Sequence, residues 1–227
     1  MRIDRDSTRS KKKFESMLDE IRSGDPCVLL GTQILAKGHH FPAVTLVAIV
    51  DADSGLFSPD FRGQEFMAQT ITQVAGRAGR AERPGEVIVQ SRHASHRILR
   101  LLSESNYVDL AKLLLAERKI AVMPPYAQLA LIKADGPQLK ATIDLLKQIK
   151  SFSTQLIQQS ESTINSIGPM PAPMEKRAGR YRSQLLFKAT SKPIMQRFLT
   201  QLVYQIESLK VSTGVKWSLD VDPQEMI

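Results

Sequence analysis

The chain reads as a two-part α/β protein, and three observations carry that reading. In the first part, short apolar runs alternate with helical periodicities, the pattern of a parallel sheet with helices on its faces. In the last part the rhythm changes to strand, helix, strand, strand, helix, strand. Between them lies a leucine-rich helical stretch that stops at Pro124-Pro125.

Each element follows from its residues. Ser10 to Arg22 places Phe14, Met17, Leu18 and Ile21 at helical spacing, and Gly24-Asp25-Pro26 ends that helix. Cys27 to Leu30 and Thr45 to Val50 are continuous apolar runs, which predicts strands buried on both faces. A helix is expected from about Gly63 to Gly79, then a strand over Glu86 to Gln90. His96 to Ala121 is helical again, with leucines at 101, 102, 110, 113 and 114, and proline stops it. Leu129 to Ala134 reads as a strand, and Leu139 to Phe152 as a long helix. Ile164 to Ile167 is strand-like and leads into a stiff Gly168-Pro-Met-Pro-Ala-Pro173 segment. Tyr181 to Ala189 is a strand, Ser191 caps a helix with Pro193 in its first turn, and Val215 to Val221 alternates as a half-buried strand. The order β-α-β-β-α-β is ferredoxin-like. The expected domains are 1–95, a helical connector over 96–124, and 125–227.

With 227 residues and 42% hydrophobic, the chain can form one large core or two small ones. No apolar run reaches the ~18 residues of a membrane-spanning helix, and the charged start, Met1 to Asp6, lacks the apolar stretch of a leader. The single cysteine, Cys27, allows no internal disulfide and no cysteine-based zinc site within this chain, which fits a reducing cytoplasm. A net charge of +8 favours a polyanionic partner, usually nucleic acid.

Three segments carry candidate chemistry. In Gln73-Val-Ala-Gly-Arg77-Ala-Gly-Arg80, helical spacing puts Gln73, Arg77 and Arg80 on one face and Met67, Ile71, Val74 and Ala78 on another. Arginine forks suit phosphate oxygens, and Gly76 and Gly79 would let a ligand or backbone approach. Arg77 and Arg80 fit an arginine-finger role, with Gln73 orienting water or touching a γ-phosphate. The competing reading is a solvated basic face. The second segment, Gly31 to Pro42, follows a strand, where open α/β sheets bind ligands. Thr32 and Gln33 can donate to DNA phosphates and Lys37 adds charge. In the third, Lys176, Arg177, Arg180, Tyr181 and Arg182 interleave basic groups with an aromatic, a pattern suited to DNA backbone contact and base stacking. A charged hairpin of no special role is the alternative.

Other patterns are weaker. No G-x-x-x-x-G-K-[ST] phosphate cradle is present, so ATP hydrolysis by this chain alone is not expected. Asp51 and Asp53 at a strand end read as backbone caps or solvated groups. His39-His40 and His93-x-x-His96 lack partner ligands, read as structural or as nucleic-acid contacts, and no metal site is assigned.

Gln-x-x-Gly-Arg-x-Gly-Arg alone resembles the superfamily-two helicases. Arg2 to Asp6, Lys37-Gly-His-His-Phe-Pro42, Gly168 to Pro173, Gly179-Arg-Tyr-Arg182 and Val215 to Pro223 narrow the resemblance to the PriA family of bacterial primosomal helicases, over nearly the whole chain. That resemblance implies a RecA-like second helicase lobe followed by a DNA-binding domain, in an ATP-dependent enzyme of replication restart and primosome assembly at stalled forks. Gly38, Gln73, Arg77 and Arg80 would meet ATP and Mg²⁺ held largely by a first lobe. Thr32, Gln33 and Lys37 would couple nucleotide state to DNA. The implied partners are forked and single-stranded DNA, primosome proteins and single-stranded-DNA-binding protein, in the bacterial cytoplasm and without a membrane. The family's zinc cysteines are not in this chain. A non-enzymatic module for fork DNA or primosome partners is the alternative.

Overall fold

The computed structural model describes residues 2–3, 11–23, 25–31, 44–76, 85–104, 106–160 and 163–226. These form two compact units: residues 1–58 with 62–112, and residues 59–61 with 113–227. The boundary thus falls inside a helix.

In the first unit, β1 (Arg2–Ile3) pairs in parallel with β2 (Leu30–Gly31), and the chain between them contains helix α1 (Lys11–Arg22). Met17 and Ile21 are half-buried while Glu15, Ser16, Asp19 and Glu20 are exposed, so α1 is amphipathic as expected. A second parallel pair joins β3 (Leu46–Ile49) to β4 (Glu86–Val89), with α2 (Asp53–Leu56) and α3 (Gly63–Ala75) between them. Parallel strands linked through helices are what the alternating pattern called for.

Two expectations need correction here. Cys27 to Leu29 is not strand, and Cys27 and Val28 are exposed. The β3–β4 pair is not buried on both faces. Leu46, Ala48, Glu86 and Ile88 share an exposed face, and Val47, Ile49, Val87 and Val89 share a half-buried one. Apolar content alone does not distinguish these cases, because a run of valines suits a strand covered on one side as well as on two. α3 packs against α2, β3 and α4 (Arg97–Ser103) through Met67, Ala68 and Ile71. Its described extent ends at Ala75, with Gly76 as C-cap at φ −67°, short of the expected Gly79. The helical region expected over 96–121 contains two helices, α4 and α5 (Tyr107–Ile120), with the unit boundary inside α5.

The second unit runs β5 (Gln128–Gly136), α6 (Leu139–Ser160), β6 (Ile164–Arg177), β7 (Arg180–Ala189), α7 (Lys192–Glu207) and β8 (Lys216–Val221). Its four strands lie in the order β6-β7-β5-β8, every neighbouring pair antiparallel. Ala130, Ile132 and Ala134 of β5 and Leu185, Phe187 and Ala189 of β7 pack with Leu146 and Ile149 of α6 and Phe198, Leu202 and Ile206 of α7. Phe187 and Phe198 meet edge to face at 5.0 Å. Each buried Leu, Ile or Phe among them contributes about 1.5–3 kcal/mol from area removed from water. On the other sheet face, Leu129, Leu131 and Leu186 are covered by Phe61, Met123 and Met226. Burial on both sides explains why β5 reads as an unbroken apolar run. Asp60 completes this cover by accepting the Met226 amide at 2.7 Å.

The Pro-rich segment is the main departure in this unit. It is not a stiff link after a four-residue strand but part of the 14-residue β6. β6 is an edge strand with register shifts at Ile167/Met170 and Pro171/Lys176, and proline is tolerated at such edges and bulges. Ser191 is the N-cap of α7, but its hydroxyl makes no capping bond; the Ser191 carbonyl accepts from Met195 instead.

Candidate nucleic-acid interface

The third basic cluster occupies one β-hairpin. Arg177 and Arg180 face each other in the last ladder pair between β6 and β7, and Lys176 faces Tyr181. Ala178 and Gly179 close the turn with φ of +49° and +78°, the two-residue geometry whose twist suits a hairpin and which glycine adopts without strain.

Strand alternation sorts the charges. Ser183 bonds Thr142 of α6 at 2.8 Å, so its side of β7 faces the helices. Arg180 and Arg182 lie on the opposite, helix-free side. The register brings Asp135 beside Arg182, and Lys216 beside Asp135, on that same side. Arg180 donates through Nε to Asp135 Oδ1, and through Nη2 to the carbonyls of Asp135 at 3.1 Å and Gly214 at 2.8 Å. Its guanidinium therefore braces the hairpin against β5 and the β8 approach, and phosphate contact would have to compete with those bonds. Lys133 pairs with Asp220 at 3.0 Å. Among the described residues no acid pairs with Arg177, Arg182 or Lys216. Lys176 Nζ sits 4.8 Å from the centroid of the Tyr181 ring, a cation–π contact that covers one ring face. Arg177, Arg182 and Lys216 make a basic surface at the turn end of the sheet, with Lys176 on the opposite face; Arg177 and Lys176 are exposed and Arg182 is half-buried. Lys216 and Asp135 were not legible as members of it, because only the register places them there.

In the first unit, Thr32, Gln33, Lys37, Gly38, Arg77 and Arg80 lie outside the described residues. Gln73 is described: it is exposed on α3, away from buried Met67, Ala68 and Ile71. That position suits contact with an external ligand such as a nucleotide phosphate. A methyl group at Gly76 would meet only the Thr72 and Gln73 carbonyls, at 3.5 and 3.8 Å. No crowding within the described fold demands this glycine.

The strand-end carboxylates are ties, as their positions suggested. Asp51 Oδ1 accepts the Ser54 amide at 3.1 Å. Asp53 accepts the Ser91 hydroxyl at 2.5 Å and the Arg92 amide at 3.0 Å, joining the loops after β3 and β4. The Ser91 hydroxyl, then the Arg92 amide and the nearby charge of His93 and Arg92, hold the Asp53 carboxyl below its ordinary range. His96 Nδ1 accepts the Ile98 amide at 3.3 Å and so caps α4.

Comparison with known proteins gives the context for both units. The Helicase conserved C-terminal domain profile matches residues 3–82, and the Primosomal protein N C-terminal domain profile matches residues 119–224. Replication restart protein PriA of Haemophilus influenzae is 46% identical over 226 residues, 99% of this chain. The chain belongs to the PriA family. It corresponds to the C-terminal part of PriA. PriA of Synechocystis is 35% identical over 98% of the chain, and PriA of Bacillus subtilis 33% identical over 100%. The chain spans 30%, 26% and 28% of these three relatives' lengths. The first unit is thus an α/β helicase lobe with parallel strand pairs, and the second contains the region that matches the Primosomal protein N C-terminal domain. No described helix is long and apolar enough to cross a membrane.

Proposed function

We propose that this chain is the second motor lobe and a DNA-binding domain of an ATP-dependent helicase that restarts replication at stalled forks. The observation that carries the proposal is the unpaired basic surface of Arg177, Arg182 and Lys216 in a chain similar to replication restart proteins over almost its whole length. Sheet order and antiparallel register support a ferredoxin-like reading of the second unit, and the parallel pairs support a RecA-like reading of the first. The domain limits at 95 and 124 belong to the same proposal.

Arg77 and Arg80 would supply the arginine finger, and Gly38 and Gln73 would line the nucleotide. ATP with Mg²⁺ brings the phosphoryl group and its charge neutralisation; this chain's residues would orient and stabilise it. Thr32, Gln33 and Lys37 would grip the DNA backbone. Primosome proteins and single-stranded-DNA-binding protein would be partners, in the bacterial cytoplasm, and zinc would belong to parts of the family that this chain does not cover. With no Walker cradle in its sequence, the chain alone should hydrolyse no ATP. Appreciable turnover that disappears in Arg80→Ala would overturn that statement.

DNA binding is tested by anisotropy with forked DNA over a salt series. Arg177→Glu with Arg182→Glu should weaken binding at least tenfold and flatten the salt dependence, since each lost phosphate contact lowers the slope by roughly one. Unchanged affinity would remove the hairpin from the interface. The second unit's own core favours a second reading, a non-enzymatic binding module. Stimulation of ATP hydrolysis on adding the remaining family lobes would decide against it.

A further inference from the structure

Phe57 is an aromatic ring in an unusual place. It follows α2, beside the C-terminal ends of the parallel strands β3 and β4, and 57% of it is exposed. Two imidazoles stand roughly perpendicular to it: His93 at 4.8 Å and 72°, and His96 at 6.3 Å and 76°. The loop that carries them is itself fixed. Asp53 takes the Ser91 hydroxyl and the Arg92 amide, and the Ser91 hydroxyl takes the His93 amide at 2.9 Å. The ring is therefore positioned by the fold but not covered by it. Exposed Arg92 and Arg97 bracket the two histidines along the chain.

We propose that Phe57, held by His93 and His96 and flanked by Arg92 and Arg97, is a stacking platform for a base of single-stranded nucleic acid. An exposed ring offers a π-face to any base without reading its identity, and the neighbouring guanidiniums supply the backbone charge contact. The strand ends are where open α/β sheets receive ligands. A scaffold of hydrogen bonds that keeps an apolar ring in water is easily understood if the ring is kept there for a partner. The platform rests on the DNA-binding reading above, but uses none of the same residues.

The test uses the full chain and a fluorescein-labelled oligothymidylate. Phe57→Ala should weaken binding roughly 5- to 150-fold, the range for one lost base stack. Phe57→Trp should retain affinity, and its added emission over the wild-type Trp217 background should be quenched by the oligonucleotide. Thermal melting checks that both variants fold, and Phe57→Trp serves alone if the alanine variant does not. Wild-type affinity in Phe57→Ala, or unquenched emission at saturation, overturns the platform. If the Arg177→Glu, Arg182→Glu variant loses binding while Phe57→Ala keeps it, the platform fails and the proposed function stands. No binding of the oligonucleotide by the wild-type chain overturns the platform as well.

Discussion

Asp53 shows how one side chain ties two strand ends together. Its carboxylate accepts two hydrogen bonds, and the Ser91 hydroxyl and Arg92 amide lower its pKa from 3.8 in the folded state. A depressed carboxylate contributes its stability above the unfolded value and loses it as pH falls through the folded one. The 91–93 loop should therefore loosen only below about pH 3.8. Asp53→Asn should flatten the acid limb of a melting-temperature series; an unchanged limb would mean that other carboxylates govern it. Gly168 illustrates a backbone demand. It sits at the β6 register shift with φ +105°, and a methyl group there would come within 2.9 Å of the Gln184 carbonyl. Gly168→Ala should cost about 2–3 kcal/mol, read as a lower urea midpoint, from a conformation that L-residues avoid plus that clash. The sequence marks this glycine as part of a Pro-rich segment, but nothing local says that a strand runs through it.

The β6–β7 hairpin puts the same point at the level of elements. β7 was legible because Leu185, Leu186, Phe187 and Ala189 are apolar and the strand follows a turn glycine. β6 was not, since prolines argue against a strand until its place at the sheet edge is known. The role of Arg180 was hidden for a related reason. Asp135 lies 45 residues away in sequence, and only the pairing of β5 with β7 brings them together. The basic cluster was thus legible as charge, but its division into a brace and an acid-free surface was not. Arg180→Met should lower stability by up to about 1 kcal/mol, because the pair is partly exposed and screened. Arg182→Met should leave stability nearly unchanged and weaken DNA binding more than Arg180→Met does. The reverse ranking in anisotropy would reassign the two arginines. The arginine array after Gln73 depends on α3 continuing past Gly76, beyond the described residues.

At the scale of the molecule, the two units differ in how completely their strands are covered. β5 and β7 of the second unit are packed from both sides, with Leu129, Ile132, Leu185 and Phe187 at 0% exposure. The β3–β4 pair leaves Leu46 and Ile88 about half exposed. Hydrogen exchange should therefore find the slowest amides in β5 and β7, at protection near the global stability, and faster opening in β3 and β4. Equal protection in both sheets would show that the exposed face is covered in solution. The division into a parallel first part and an antiparallel second part was readable from the alternation of runs, because each local pattern agrees with the fold it serves. Coverage was not, because it depends on what lies across the sheet.

The prolines of β6 have one more consequence. Pro169, Pro171 and Pro173 leave three positions of the edge strand β6 without a backbone donor. A border without donors is a poor template for another strand, so copies of this chain should resist zipping together into fibrils or swapped dimers. Changing Pro171 and Pro173 to valine should raise light scattering at high protein concentration, whereas unchanged scattering would give that protection to another part of the border.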